Sequence, residues 1–326
     1  MKAIEWTKYG PPEVLQLKEV EKPIPLDNEV LIRIYATTVI AGDCEMRSSK
    51  FPSPFLWFVM RMWLGLRRPK KNILGQEFAG EIEAIGKDVS LFKKGDQIFA
   101  NISIELGCYA EYICLPEDGV LTIKPDNMTY EEAAAVPFGA LEALAYLRRA
   151  KIQNGHKVLL CGASGTVGTF AIQLAKYYGA EVTAIGNPTS LEVMKSLGAD
   201  KVIDYTKDDF TKSSEMRYDV IFDIVGKSSF SNIKRLLKEN GFYLLSNLRI
   251  SHLVRRKRSS MKLIFGALNE GVEDLIFLKE LIEAEKIKSV IDRRYTFEQI
   301  AEAHSYVDTG QKTGNVVITL NYNNKT

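Results

Sequence analysis

The stretch Val158-Leu159-Leu160-Cys161-Gly162-Ala163-Ser164-Gly165-Thr166-Val167-Gly168 runs four apolar residues into a turn of small ones. Small residues at such a turn let the backbone come close to a bulky anion. A helix starting there turns its unbonded N–H groups and the positive end of its dipole toward that anion. The frame is Ala163-x-Gly165-x-x-Gly168, with Gly162 just before it, and it predicts a seat for a dinucleotide pyrophosphate.

Such a seat needs a buried strand before it and a helix behind it. Val158–Cys161 is apolar throughout, and Phe170, Ala171, Leu174, Ala175 and Tyr178 recur at helical spacing. A second strand, Glu181–Ile185, follows at the distance of a βαβ unit. Lys201–Asp204, Tyr218–Asp223, Gly241–Leu245 and Lys262–Phe265 continue the series. Short apolar strands alternating with helical segments predict a doubly wound parallel sheet, an α/β fold. The 326 residues leave room for a second domain with its own core.

Residues 1 to 125 supply that second domain and read as mostly β. Val14–Val20 alternates in part, Glu29–Ala36 is a strand, and Gly80–Gly86 alternates apolar with acidic residues. Gln97–Ala100 follows a turn at Lys93–Asp96, and Cys108–Ile113 alternates again.

A net charge of +2 argues against binding nucleic acid by bulk attraction. The short basic cluster Arg255–Arg258 reads as a solvated loop. Four cysteines without CxxC spacing make neither a disulfide framework nor a zinc knuckle, and a reducing, cytoplasmic setting is expected. Met1–Trp6 shows no signal-peptide core, and no apolar run reaches the roughly 18 residues of a spanning helix, so no stable membrane insertion is expected. The three histidines, His156, His252 and His304, form no constellation and read as surface or packing residues.

Gly75–Gly80, Lys94–Asp96, Gly107–Tyr112, Glu131–Pro137 and Leu197–Asp200 occur in an order that, with the fingerprint, resembles the medium-chain dehydrogenase/reductase superfamily. Within it the chain is similar to the zinc-free quinone oxidoreductase-like branch. The resemblance implies a Rossmann sheet inserted in a GroES-like, mostly β catalytic domain. Residues 1–124 would begin the catalytic domain, 125–267 form the Rossmann domain, and 268–326 return through helices Asp274–Ala284 and Phe297–Val307 and strand Asn315–Leu320. It also implies a homodimer.

Zinc-dependent members hold their metal with Cys, His and Cys. The matching positions here are Ile40, Gln76 and Phe138. Isoleucine and phenylalanine cannot ligate zinc, and no four-cysteine lobe follows Asn101. Without a Lewis acid, a plain ketone is a poor acceptor. A quinone or an α,β-unsaturated carbonyl spreads the incoming charge itself. A small apolar conjugated carbonyl or quinone is therefore the expected substrate. Asp43 stands where the family carries an acidic residue, Arg47 follows one helical turn later, and Gln76 occupies the emptied metal position. These are the expected catalytic residues.

The second Rossmann strand runs into Gly186-Asn187-Pro188-Thr189-Ser190, with no acid to bind a ribose 2′-hydroxyl. NADPH is the expected cofactor, with NADH possible. By position in the family, Ser164, Gly165, Thr166 and Val167 would meet the pyrophosphate, and Asn187, Thr189 and Tyr205 the adenosine end. Val225, Ser246, Asn247, Phe265 and Asn315 complete the expected contacts. Two other functions fit the same residues. An enoyl-thioester reductase would use Arg67, Arg68, Lys70 and Lys71 as a basic entrance, and a nucleotide-binding sensor or partner module would turn over little.

Phe51–Leu66 is aromatic and methionine-rich and closes on Arg67-Arg68-Pro69-Lys70-Lys71. Three readings stand: a lid over an apolar pocket, an interfacial membrane patch, or a core helix with a basic end.

Overall fold

The computed structural model describes residues 1–51, 54–210, 217–226, 228–246, 261–266 and 271–322. The chain divides into two units. The first joins Met1–Phe138 to Gly271–Ala284 and Ser289–Thr326, and the second joins Gly139–Glu270 to Glu285–Lys288. The first crossing thus falls at Phe138/Gly139, beyond the position 124/125 expected from sequence.

The first unit begins with β1 (Lys2–Trp6), β2 (Leu15–Glu19) and β3 (Glu29–Val39). Helices α1 (Ala41–Ser48) and α2 (Pro54–Leu64) lead to β4 (Glu77–Ile85), β5 (Gln97–Asn101), β6 (Tyr112–Pro116) and β7 (Leu121–Ile123). A short α3 (Tyr130–Ala134) follows. Thr129 caps it, accepting from Glu132 N–H, while the Glu132 carboxylate takes the Thr129 N–H.

β3 is the spine of this unit. It pairs antiparallel with β4 on one side, and with β6 over its first half and β15 over its second on the other. It has eleven residues because it serves two neighbours along one edge. Ile32, Ile34, Phe78, Ile82 and Ile98 fill the core between the strands, and Trp6 and Tyr109 are wholly buried with them. Burial of such side chains contributes about 1.5–3 kcal/mol each relative to exposure.

The stretch Cys108–Ile113, expected as a strand, joins the sheet only from Tyr112 onward. Gly107 turns the chain at φ +132°, and Ala110 meets Ala3 of β1 in an isolated bridge. Gly75 leaves no room for a side chain, because a Cβ there would stand 2.6 Å from the Tyr109 ring. The alternation in this stretch therefore buries Cys108 and Tyr109 at a crossing rather than along a ladder.

The second unit holds α4 from Gly139 on (Pro137–Arg149 overall), β8 (Lys157–Cys161), α5 (Thr166–Tyr177), β9 (Glu181–Gly186) and α6 (Leu191–Ser196). It continues through β10 (Lys201–Asp204), β11 (Tyr218–Asp223), α7 (Phe230–Leu236), β12 (Leu237–Leu245) and β13 (Lys262–Phe265). All six strands are parallel, in the order β10-β9-β8-β11-β12-β13. The series reverses direction at β8. In open parallel sheets a ligand crevice lies outside the carboxyl ends of the strands where the order reverses, here between β8 and β11. The glycine-rich turn stands at that point.

The chain returns to the first unit with α8 (Val272–Glu283), β14 (Ile291–Thr296), α9 (Ile300–Asp308) and β15 (Asn315–Thr319). β14 has no clear counterpart in the sequence pattern. Arg293 and Arg294 face water on this edge strand, so its hydrophobic alternation is weak.

Candidate active site

The glycine turn meets the requirements of a pyrophosphate seat. Gly162 has φ +86°, and a Cβ on it would lie 2.5 Å from the Val225 side chain. A Cβ on Gly168 would lie 2.4 Å from the Gly162 carbonyl, so only glycine allows α5 to start this close to β8. Gly165 differs. It caps α5 without a side-chain hydrogen bond, and a Cβ there would meet nothing nearer than 3.8 Å. The space before the helix is open, and a side chain at Gly165 would fill it. A dinucleotide phosphate fits such a cradle. Thr166 and Val167 begin the helix and are almost wholly buried.

The loop after β9 is held by its own polar groups. Asn187 Oδ1 accepts the Ser190 N–H at 3.0 Å and the Thr189 hydroxyl at 2.9 Å. The Ser190 hydroxyl is buried and donates to the Asn187 carbonyl. Thr189 and Tyr205 are exposed, and no carboxylate occurs between Gly186 and Ser190. Val225 is 42% exposed after β11. Ser246 donates its hydroxyl to the Glu142 carboxylate, whose pKa burial pushes up. Phe265 is half-buried at the end of β13, and Asn247 lies outside the described residues.

In the first unit, a chain of buried polar side chains converges on Asp43. The Ile40 N–H donates to Asp43 Oδ2 at 3.1 Å, and the Tyr109 hydroxyl donates to the same oxygen at 3.0 Å. Gln76 donates from Nε2 to Oδ1 at 3.2 Å. Burial raises the Asp43 pKa to about 6, and these donors keep it from rising further. Behind Tyr109, His304 Nε2 lies 3.2 Å from the phenol oxygen and Nδ1 lies 3.3 Å from Cys44 Sγ. Burial, with Arg47 nearby, drives the His304 pKa well down, so the ring is neutral and carries one N–H. The Tyr109 proton is committed to Asp43. The ring proton therefore sits on Nε2, and Nδ1 accepts the Cys44 thiol proton. Burial pushes that thiol up as well, so it stays protonated.

Next to Gln76, the carboxylate of Glu77 is also fully buried. It accepts the Thr38 hydroxyl and, at 2.8 Å, the Phe138 N–H. Burial lifts its pKa to about 7, with a further push from Asp43. Lys312 acts in the opposite sense on Glu77. Its own pKa is brought down to about 8 by burial, and its ammonium donates to the Gly314 carbonyl at 2.6 Å.

Arg47 does not reach toward Gln76 by any bond. Its guanidinium is buried and donates from Nη2 to Asp308 Oδ2 at 2.7 Å, tying α1 to the end of α9. Asn315 is buried in β15, with Nδ2 donating to the Val290 carbonyl at 3.2 Å and Oδ1 left without a protein partner.

Comparisons with known proteins bear on this arrangement. Residues 26–125 match the alcohol dehydrogenase GroES-like domain, and residues 197–318 match the zinc-binding dehydrogenase domain. The chain is 32% identical over 330 residues to 2-methylene-furan-3-one reductase of Solanum lycopersicum, covering 98% of this chain and 79% of that one. The chain belongs to the medium-chain dehydrogenase/reductase superfamily. It is also 31% identical to the chloroplastic NADPH-dependent alkenal/one oxidoreductase of Arabidopsis thaliana, again over 98% of this chain and 79% of the relative. The solved quinone oxidoreductase of Coxiella burnetii superposes with a TM-score of 0.87 at 27% identity, covering 98% of this chain and 99% of that one.

Membership in the superfamily's quinone oxidoreductase-like branch gives the polar chain its context. Of the three positions at which zinc-dependent members carry ligands, Ile40 and Gln76 crowd the same glycine. A Cβ on Gly42 would lie 3.3 Å from Gln76 Nε2 and 3.6 Å from Ile40 Cδ1. Phe138 offers only its backbone, to Glu77. An isoleucine, a phenylalanine and an amide already turned onto Asp43 are not a zinc donor set. Among the described residues no cluster of three His, Cys, Asp or Glu side chains is placed to hold a metal.

Sequence reasoning missed the partners of Asp43. Tyr109 lay in a stretch read as a strand, and His304 read as a packing residue. The usable signal was Tyr109 directly after a cysteine in the segment beside Gly75, but nothing local linked either residue to His304.

Proposed function

We propose that this protein uses NADPH to reduce a quinone or the carbon–carbon double bond of an α,β-unsaturated carbonyl, without zinc. The observation that carries the reading is Gln76, an amide anchored on buried Asp43 at the position where zinc-dependent relatives hold their metal. The similarity to an alkenal/one oxidoreductase and to a furanone reductase supports it.

Bound NADPH supplies a hydride. Gly165, Thr166 and Val167 hold its pyrophosphate, and Asn187, Thr189 and Tyr205 border its adenosine end. No acid in that loop repels a 2′-phosphate. Asn315 offers its unpartnered oxygen as a buried acceptor. Gln76 is the catalytic residue: one amide hydrogen is held by Asp43, and the other points the amide at the acceptor's carbonyl oxygen. Charge that develops there as the substrate gains two electrons is stabilised by that N–H, and water supplies the proton. Asp43 is fully buried and acts as a positioning residue. Arg47, bonded to Asp308, holds α1 and α9 together rather than a substrate oxygen.

The test is NADPH oxidation against a benzoquinone, a long-chain enone, an enoyl thioester and a simple aldehyde, each with and without chelator. Chelator-insensitive turnover of the quinone or enone is the expected result. Preference for the thioester would favour the enoyl reductase reading, and turnover of the aldehyde lost with chelator would reject the proposal.

A further inference from the structure

Helix α2 is apolar on the face it should hide and apolar on the face it shows. Leu64 lies in the core of the first unit, and Met60 packs against that core. Gly65, just past the helix, takes the Tyr9 hydroxyl at 2.7 Å, and the Arg61 guanidinium stacks on the Tyr9 ring at 3.8 Å. These contacts fix one side of the helix. The opposite arc carries Phe58, Val59, Met62 and Trp63, followed by Leu66, and all are exposed, Phe58 at 55% and Met62 at 52%. A surface helix ordinarily turns charged residues to water.

The charge around this face is one-sided. Between Met46 and Gln76 there is no Asp or Glu, while Lys50, Arg61, Arg67, Arg68, Lys70 and Lys71 all occur there. Arg67, Arg68, Lys70 and Lys71 are exposed directly beyond the apolar face. Lys70 and Lys71 bond backbone carbonyls, of Met62 and Glu105. Among the described residues no carboxylate lies within ion-pair distance of any of the four. The pattern joins an exposed apolar and aromatic helix face to an uncompensated cationic rim.

We infer that this surface docks the protein onto an anionic lipid bilayer, α2 lying in the interface with Phe58, Met62 and Trp63 among the acyl chains and Arg67, Arg68, Lys70 and Lys71 on the headgroups. An aromatic ring seats at the boundary between hydrocarbon and headgroup, and clustered arginines and lysines are drawn to negative lipid. The cations match an anionic surface, and the exposed aromatic and aliphatic side chains beside them match its hydrocarbon boundary. Attachment is peripheral, since among the described residues no helix is long and apolar enough to cross a membrane. The inference stands apart from the catalytic proposal, because binding to lipid is read without turnover.

The experiment is co-sedimentation of the full chain with vesicles of phosphatidylcholine alone and of phosphatidylcholine with roughly one-third phosphatidylserine. The protein should pellet with the anionic vesicles about tenfold better than with the neutral ones, and lose that preference at high salt. Phe58→Ser with Met62→Ser should weaken binding to both vesicle types, and Arg67→Glu with Arg68→Glu should abolish the preference for phosphatidylserine. The charge-reversed pair lies outside the helix and keeps the test decisive if the serine pair lowers the thermal midpoint. Absence of pelleting, or pelleting unaffected by either pair, would overturn the inference. So would a dimer mass by light scattering that falls to a monomer in the serine pair, since the face would then belong to a second copy.

Discussion

Tyr109 donates its only hydroxyl proton to Oδ2 of Asp43 across 3.0 Å, and that bond sets the direction of every proton behind it. His304 must then donate from Nε2 to the phenol oxygen, and Cys44 must face Nδ1 with its thiol proton. None of these groups is exposed, so the chain acts by holding Asp43, and through it Gln76, in one orientation.

Tyr109→Phe keeps the ring and removes both bonds at its oxygen. The His304 N–H loses its acceptor and Asp43 loses a donor, at a cost of about 1–3 kcal/mol. With a donor gone, the pKa of Asp43 rises beyond its value of about 6. Because a raised carboxylate pKa costs stability only where the group is ionised, the loss should be greater at pH 8 than at pH 5. Urea unfolding at the two pH values reads this directly. Equal losses would mean the phenol does not support the ionised carboxylate.

Glu77 gives a cleaner pH signature. Its folded pKa stands near 7, above the unfolded value of 4.5, so the folded state holds the proton longer. The stability it permits is complete below pH 4.5 and is lost as pH rises through 7. Glu77→Gln keeps its one amide oxygen for the Phe138 N–H, turns its NH2 toward the Thr38 hydroxyl oxygen, and cannot ionise. Relative to the natural protein, the variant should gain about 2–3 kcal/mol in unfolding free energy between pH 4 and pH 8. A constant difference across that range would place the Glu77 charge in water rather than in the core.

Gln76→Leu fills the same volume without an amide. Turnover of a quinone or enone should fall about ten- to a hundredfold in kcat, as expected for loss of one hydrogen bond to developing charge. NADPH affinity, from fluorescence titration, should be unchanged. Full activity in the leucine variant would remove Gln76 from the chemistry.

Asn187→Asp tests the cofactor loop. An aspartate can still accept the Ser190 N–H and the Thr189 hydroxyl, so the turn should be kept. It also brings a negative charge where a 2′-phosphate is expected. The ratio of kcat/KM for NADPH over NADH should fall by tenfold or more, on the order of 1.4 kcal/mol. An unchanged ratio would move the phosphate contact away from this loop.

Much of this molecule is readable in short windows. Five of the six parallel strands are segments of four to six residues with apolar centres, β12 alone reaching nine, and the glycine frame marks its own strand and helix. The loss of zinc chemistry is equally local, since it follows from the identities of Ile40, Gln76 and Phe138. The edge strand β14 was harder, because Arg293 and Arg294 face water and blur its alternation. Cys108–Ala110 has strand alternation without a strand, because a buried crossing and a pleated ladder place the same residues inside.

Residue type and spacing alone therefore determined the class of fold, the glycine-rich turn between β8 and α5, and the loss of the zinc ligands at Ile40, Gln76 and Phe138. The tertiary structure decided which polar groups are partners. Asp308 takes Arg47 across 261 positions, His304 meets Tyr109 across 195, and Tyr109 meets Asp43 across 66. It also decided that the apolar arc of α2 faces outward. Periodicity reports that a residue has a preferred face, but the partner on that face comes from a distant segment brought in by sheet pairing. The direction of a proton along a buried chain depends on how many acceptors each donor finds there, a count that exists only in the folded protein.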